Sequence, residues 1–189
     1  MNSFNVKIEN VVVFATLGKD IPLEKISVEL DSAEYAPESF PGVIYRIKEP
    51  RVATLIFSSG KIVCTGARNV DDSRTAVEKV VGDLRKLGID IPKKYELRVE
   101  NIVASTQIHA PQKIQLEDVA FNLENTEFEP ESFPGLVFRL SEPRAAFLLF
   151  GTGKIICTGA RKLEEIHAAL GKFKEKLEGV GLEVKPIAA

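Results

Sequence analysis

The sequence predicts an α+β protein: one unit of order β-α-β-β-β-β-α written twice in tandem, with antiparallel strands and helices on one face of the sheet. The first observation behind this is a repeat. Pro37 to Arg68 and Pro130 to Arg161 align without a gap and are identical at 21 of 32 positions, and most mismatches exchange one apolar residue for another. The second is punctuation: within each copy, short β-branched runs are separated by turns of hairpin length, which join antiparallel neighbours. The third is a pair of amphipathic stretches per copy with apolar residues at helical spacing.

The match extends upstream. Glu9-Asn10-Val11-Val12 answers Glu100-Asn101-Ile102-Val103, and Ile26 to Leu30 answers Val119 to Leu123. The offset grows from 91 to 93 residues, which places two extra residues in the second copy's turn near His109 to Lys113. Each copy is longer than the roughly 20–50 residues of a solenoid repeat. Duplication of a half-domain follows, with boundaries at 1–92 and 93–189.

Within the first copy, Asn5 to Thr16 alternates and is rich in β-branched residues, so it reads as a strand. Asp20 with Pro22 at the first turn starts a short helix bearing Leu23, Ile26 and Leu30. Strands Val43–Ile47, Ala53–Phe57 and Ile62–Thr65 follow, separated by Pro-Glu-Ser-Phe-Pro-Gly, Glu49-Pro50 and Ser58-Ser59-Gly60. Gly66 closes the sheet portion. Asp71, Asp72 and Ser73 offer N-caps for a longer helix whose stripe is Ala76, Val77, Val80, Val81, Leu84 and Leu87, ending at Gly88. The second copy repeats this, with Ile166, Ala169, Leu170, Phe173 and Leu177 as its stripe.

Composition excludes several classes. The hydrophobic fraction of 44% and charged fraction of 28% belong to a globular chain that can bury a core, not to a disordered one. No apolar run approaches the roughly 18 residues of a membrane span, and the N-terminus lacks a signal-peptide pattern, so the expected location is cytoplasmic. Cys64 and Cys157 read as small buried hydrophobes of a reducing compartment. With His109 and His167 they lack ligand spacing, so neither a metal nor a cofactor is expected. No carboxylate dyad, nucleophile–base pair or phosphate loop appears, so the chain does not read as an enzyme. Gly151-Thr152-Gly153-Lys154 lacks the full phosphate-loop spacing, and its counterpart Ser58-Ser59-Gly60-Lys61 makes it a hairpin turn.

The strands point to function. A sheet covered by helices on one face should alternate apolar and polar residues, yet Ala53 to Phe57 and Ala146 to Phe150 are apolar on both parities. Either a further layer or a dimer partner covers the second face, or that face exists to bind something; no segment remains to supply the layer. The net charge of −2 speaks against nucleic acid until it is resolved along the chain. Pro37–Arg68 carries five positive and two negative residues and Pro130–Arg161 four and two, whereas Glu9–Ala36 carries two and six. Arg46, Lys61 and Arg68, mirrored by Arg139, Lys154 and Arg161, form a duplicated basic set suited to phosphates. An apolar face rimmed by cations suits a minor groove, where wedge residues unstack base steps, better than a major groove read by hydrogen-bonding side chains.

Pro-Glu-Ser-Phe-Pro-Gly, a strand containing an arginine, Glu-Pro-Arg, then Ser-Gly-Lys or Thr-Gly-Lys and Cys-Thr-Gly-Ala-Arg occur in both copies, and together they resemble the TATA-box-binding protein core over essentially the whole chain. That family is itself a known example of minor-groove wedging and DNA bending. The resemblance implies a curved antiparallel saddle with helices on its convex face. It also implies a non-enzymatic general transcription factor, of the archaeal form since no long N-terminal extension is present, that recruits transcription factor B and, through it, RNA polymerase. It assigns wedging to Phe40, Phe57, Phe133 and Phe150, with Pro41 and Pro134 in the same turns; the alternative for each phenylalanine is core packing. Asn10 and Asn101 match the pair that hydrogen-bonds the groove floor, and Thr65 and Thr158 match accompanying polar contacts.

Strand parity places Leu55, Val63 and Thr65 on the face of Phe57, and Leu148, Ile156 and Thr158 on that of Phe150. Val12 and Val103, two residues after their asparagines, join them, while Cys64 and Cys157 point inward. Glu129 and Glu131 are the expected contact for transcription factor B, with a solvated acidic pair as the alternative. The sequence departs from many family members in carrying Arg68 and Arg161 where they have lysine, and in lacking an acidic C-terminal tail. A second reading is a carrier that cups an apolar ligand, which leaves the paired asparagines and basic rim unexplained. Near-identical copies should choose orientation on DNA only weakly, through Ala36 against Glu129, Phe14 against Ser105 and Thr54 against Phe147. Self-association through the apolar face is open to the DNA-free protein.

Overall fold

The structure is a computed structural model and describes residues 4–187. The first copy comprises β1 (Lys7–Thr16), α1 (Leu23–Glu29), β2 (Ala33–Glu34), β3 (Val43–Ile47), β4 (Val52–Ile56), β5 (Lys61–Ala67) and α2 (Val70–Lys86). The second comprises β6 (Glu96–Gln107), α3 (Leu116–Asn122), β7 (Thr126–Glu127), β8 (Gly135–Leu140), β9 (Ala145–Phe150), β10 (Lys154–Ala160) and α4 (Leu163–Gly179). The order β-α-β-β-β-β-α therefore occurs twice. Residues 10–100 form one compact unit; residues 4–9 pack with 101–187 in the other.

In the first copy the strands lie in the order β2-β3-β4-β5-β1, and in the second β6-β10-β9-β8-β7, with antiparallel pairing. The fourth short strand of each copy, which the sequence implied by its order but did not locate, is only two residues long. It follows a left-handed residue at matching positions, Ser32 (φ 67°) and Asn125 (φ 60°). The Glu49–Pro50 and Glu142–Pro143 peptide bonds, in the matching β3–β4 and β8–β9 turns, are both cis.

Helix starts differ from the expected ones. The N-cap of α2 is Asn69, not Asp71, Asp72 or Ser73: Asn69 Oδ1 accepts from the Asp72 amide at 2.7 Å. Asp71 and Asp72 instead occupy the first turn, where the positive end of the helix dipole favours acid. Ser73 is wholly buried and donates to the Asn69 carbonyl at 3.2 Å. Helix α1 begins directly after Pro22, with no side-chain cap.

Alternation sets the core. Val11, Val13 and Ala15 on β1, Val52, Thr54 and Ile56 on β4, and Ile62 and Cys64 on β5 are buried; α2, packed on β4 and β5, contributes Ala76, Val77, Val80, Val81 and Leu84. The second copy buries the matching set against α4. Its core differs in kind: Phe147 and Phe173 stack at 4.4 Å between ring centroids, and Phe138 stacks on Phe173 at 4.9 Å. The corresponding residues of the first copy are Tyr45, Thr54 and Val80. Buried Thr54 donates to the Tyr45 carbonyl at 2.7 Å. The pair Thr54 and Phe147, expected to help orient the protein on DNA, is thus sealed on the helix side in both copies and has no surface with which to do so.

Both cysteines are inward. Burial pushes the Cys64 thiol up to about 11 and the Cys157 thiol to about 12, from an ordinary value of 9.0. At pH 8 neither should react with iodoacetamide in the folded protein, and both should react once it is denatured; labelling read by mass spectrometry checks this. Linkage has a definite sign here. The unfolded chain loses these protons near pH 9 while the folded chain keeps them, so stability should fall as pH rises from 9 toward 11. Among the described residues, no helix is long and apolar enough to cross a membrane, and no group of three His, Cys, Asp or Glu is placed to hold a metal ion.

Candidate nucleic-acid interface

Residues directly opposite in neighbouring strands share a face, so register assembles the exposed side of each sheet. One row of the first copy runs Ile44, Leu55, Val63, Phe14. The next runs Arg46, Ala53, Thr65 and reaches Asn10, whose amide bonds Thr65. The second copy repeats them as Val137, Leu148, Ile156, Ser105 and as Arg139, Ala146, Thr158, Asn101. Every residue of these rows is half-buried except the two arginines, which are exposed. Val12 and Val103 are half-buried between asparagine and row end. The helix-facing residues between them are buried, which leaves a largely apolar face with the asparagine and threonine as a polar spot in each copy and Ser105 as a further polar position in the second.

That spot has a fixed polarity. Gly66 donates its amide to Asn10 Oδ1 at 2.7 Å, so the other end of the side chain must be nitrogen, and Nδ2 donates to Thr65 Oγ1 at 3.0 Å. Gly159 and Thr158 hold Asn101 identically, at 2.7 and 3.0 Å. An amide nitrogen has two N–H groups, and this arrangement uses one. Each asparagine therefore offers a donor to a ligand and keeps its own acceptor engaged. Gly66 and Gly159 reach this geometry at φ 104° and 99°, a backbone region open to glycine and strained for other residues. A register shift in each pairing, between Val11 and Val13 and between Cys157 and Ala160, marks the bulge that aims the asparagines.

Aromatic pairs stand at the other end of each face. Phe57 follows β4 and packs edge-to-face on Phe40, 5.7 Å between centroids; Phe150 ends β9 and packs on Phe133 at 5.8 Å. Glycine makes room for them: a Cβ at Gly42 would lie 2.9 Å from the Phe40 ring, and one at Gly135 would lie 2.7 Å from that of Phe133. Phe40 is half-buried and Phe133 is 39% exposed, so the turn phenylalanines are not core residues. Pro41 and Pro134 are exposed beside them.

The basic set is less uniform than its duplication suggests. Arg46 is bonded to Glu34 and Arg139 lies 3.7 Å from Glu127, each at the far end of its row from the asparagine. Lys61 sits 4.1 Å over the Phe14 ring. Lys154 is exposed, and Arg68 and Arg161 are exposed just beyond β5 and β10. Arg46 and Arg68 also line an open concavity of about 1190 Å³ with Lys48 and Arg51. Glu129 and Glu131 are exposed in the turn of Phe133, where the Glu129 carbonyl accepts from the Ser132 and Phe133 amides at 2.9 Å. Sequence reasoning did not place Ile44, Ala53, Val137 or Ala146 on the face, nor Gly66 and Gly159 as clamps on the asparagines. Period-two alternation back from Leu55 and Leu148 reaches Ala53 and Ala146, and back from Arg46 and Arg139 it reaches Ile44 and Val137.

The tandem α+β unit, with this face on each copy, is the fold of Methanococcus jannaschii TBP, which matches with a TM-score of 0.83 and 41% identity over 92% of this chain and 98% of that one. A family model described as Transcription factor TFIID (or TATA-binding protein, TBP) matches residues 5–87 and 96–180. The chain belongs to this family, one of transcription factors and not of enzymes. The TATA-box-binding protein of Methanothermobacter thermautotrophicus is 46% identical over 182 residues, 96% of this chain and 99% of that protein. That of Archaeoglobus fulgidus is 43% identical over 96% and 100%. TATA-box-binding protein B of Halobacterium salinarum is 46% identical over 94% and 95%.

Proposed function

We propose that the chain is a general transcription factor that binds the minor groove of A·T-rich TATA-box promoter DNA. In this reading Phe40, Phe57, Phe133 and Phe150 wedge into base steps and bend the duplex, while Val12, Leu55 and Val63 with Val103, Leu148 and Ile156 cover its sugars. Lys61, Arg68, Lys154 and Arg161 meet phosphates. Glu129 and Glu131 contact transcription factor B, which brings RNA polymerase, so the protein works inside the cell at the nucleoid.

The observation that supports it most is the second N–H donor left on each of Asn10 and Asn101, whose own acceptor oxygens are engaged. The floor of the minor groove at A·T pairs offers only acceptors, adenine N3 and thymine O2, and guanine adds a donor, its N2 amine. Donors set in an apolar surface fit the first and clash with the second. An apolar-ligand carrier has no use for them. Inosine tests the reading, because an I·C pair lacks the N2 amine and matches A·T in the minor groove alone. In gel shifts, replacing every A·T pair of a TATA element by I·C should keep affinity within about threefold, while one central G·C pair should weaken it about 10- to 100-fold. Equal loss with I·C and G·C would show that the major groove is read instead.

A further inference from the structure

The two faces match row for row except at one place. In the first copy the row Ile44, Leu55, Val63 ends on Phe14; in the second the row Val137, Leu148, Ile156 ends on Ser105. The surroundings diverge with it. Lys61 Nζ lies 4.1 Å and Arg98 Cζ 5.8 Å from the Phe14 ring centroid, and Arg98 also pairs with Glu100 at 3.2 Å, so this spot is aromatic, with Lys61 as its nearest cation. Ser105 Oγ donates instead to Glu9 Oε1 at 2.6 Å, and Glu9, its side chain 33% exposed, also pairs with Lys7 at 3.6 Å. With the serine proton committed to the carboxylate, the second spot presents acceptors: the serine lone pairs and the glutamate oxygens.

We infer that Phe14 and Ser105 with Glu9 make the two copies unequal readers of base pairs. The second copy tolerates a G·C pair facing Ser105, and the first accepts only A·T at the position facing Phe14. This rests on the minor-groove reading above and extends it to sequence preference within the element. The guanine N2 amine is the one donor on the groove floor. Ser105 and Glu9 can accept from it, and a carboxylate also sits poorly against the strongly negative narrow groove of an A-tract. Phe14 has no acceptor to offer, its ring occupies the space an N2 amine needs, and Lys61 over that ring favours the negative A-tract. An element with one G·C-containing half should then be bound mainly in one orientation, with the second copy on that half.

The test uses a symmetric A·T duplex and derivatives with a single G·C pair stepped through one half. Orientation is read by hydroxyl-radical cleavage from an iron chelate tethered at Ser39→Cys, an exposed site, since both native thiols are buried. At the position facing Ser105 the expected bias is about tenfold, vanishing when that pair becomes I·C. The exchange variant Phe14→Ser with Ser105→Phe should reverse the bias, and Glu9→Gln should reduce it. Binding to the symmetric duplex with no bias on any derivative, a bias that survives I·C, or an exchange variant that keeps the original orientation each overturns the inference. Failure to bind even the symmetric duplex would sink the minor-groove reading itself. The I·C comparison needs neither specificity substitution, so it decides the matter even if the exchange variant folds poorly.

Discussion

Replacing Phe57 and Phe150 together by alanine should reduce affinity for a TATA duplex by roughly a thousandfold while leaving the fold intact. Each ring ends a strand at the rim of the exposed face and rests edge-to-face on its turn partner, Phe40 or Phe133, rather than on the helices. Removing a ring that gains a full contact surface only in the complex costs about 2 kcal/mol, or roughly thirtyfold, and the two sites lie in different copies, so the losses should add. The same rings are half-buried in the free protein, so their loss should change unfolding free energy by about 1 kcal/mol or less each. Anisotropy titrations give the affinity, and energy transfer between dyes at the duplex ends gives the bend. Unchanged affinity with a melting curve like the parent's would remove the wedge mechanism. Retained affinity with an unbent duplex would separate binding from bending and assign the bend elsewhere.

The repeat and the two faces were legible because both are written in single-strand periodicities. Alternation from Phe57 back to Leu55, and from Val63 to Thr65, needs no knowledge of partners, and the half-buried pattern of β4 and β5 follows it. What depends on contacts between strands was not legible. The amide of Asn10 has a defined direction only because Gly66, 56 residues later, turns its N–H toward it. The α2 cap lies two to four residues before the expected Asp71, Asp72 or Ser73, because Asn69 is as good a cap by composition and only the bond from the Asp72 amide to Asn69 chooses it. Thr54 and Phe147 read as surface differences only when each is compared with its counterpart alone; the alternation that puts Leu55 and Leu148 on the exposed face puts both of them on the helix side. Register with Cys64 and Cys157 puts both inside. The ion pairs of Arg46 with Glu34 and Arg139 with Glu127 depend on two-residue strands too short to leave a periodic signal.

Duplication has thus held the exposed face and released the core. Phe57, Asn10 and Thr65 recur unchanged in the second copy, whereas Tyr45, Thr54 and Val80 become Phe138, Phe147 and Phe173. A binding surface is constrained by the shape of its ligand; an interior is constrained only to fill its volume, and volume can be redistributed among facing positions. In the first copy the smaller set is completed by polar contacts: the Tyr45 hydroxyl donates to Asp83 Oδ2 at 3.1 Å, and Thr54 bonds the Tyr45 carbonyl. In the second copy the volume is aromatic, and Phe173, 1% exposed, lies within 5 Å of both other rings by centroid distance.

Phe173→Ala should therefore be among the most destabilising single changes on α4, costing about 3–5 kcal/mol, against about 2 kcal/mol for Val80→Ala at the matching position of α2. Two terms favour the larger figure. Phe173 loses more apolar surface, and the cavity it leaves is walled by Phe138 and Phe147, rigid rings that collapse inward less readily than aliphatic side chains. Urea denaturation followed by circular dichroism measures both variants. Because none of the three rings reaches the exposed face, folded Phe173→Ala protein at low temperature should bind a TATA duplex within about threefold of the parent. A cost no greater than that of Val80→Ala would show that the stack is replaceable packing. A loss of DNA binding in protein still fully folded would show that the core of the second copy sets the geometry of its face.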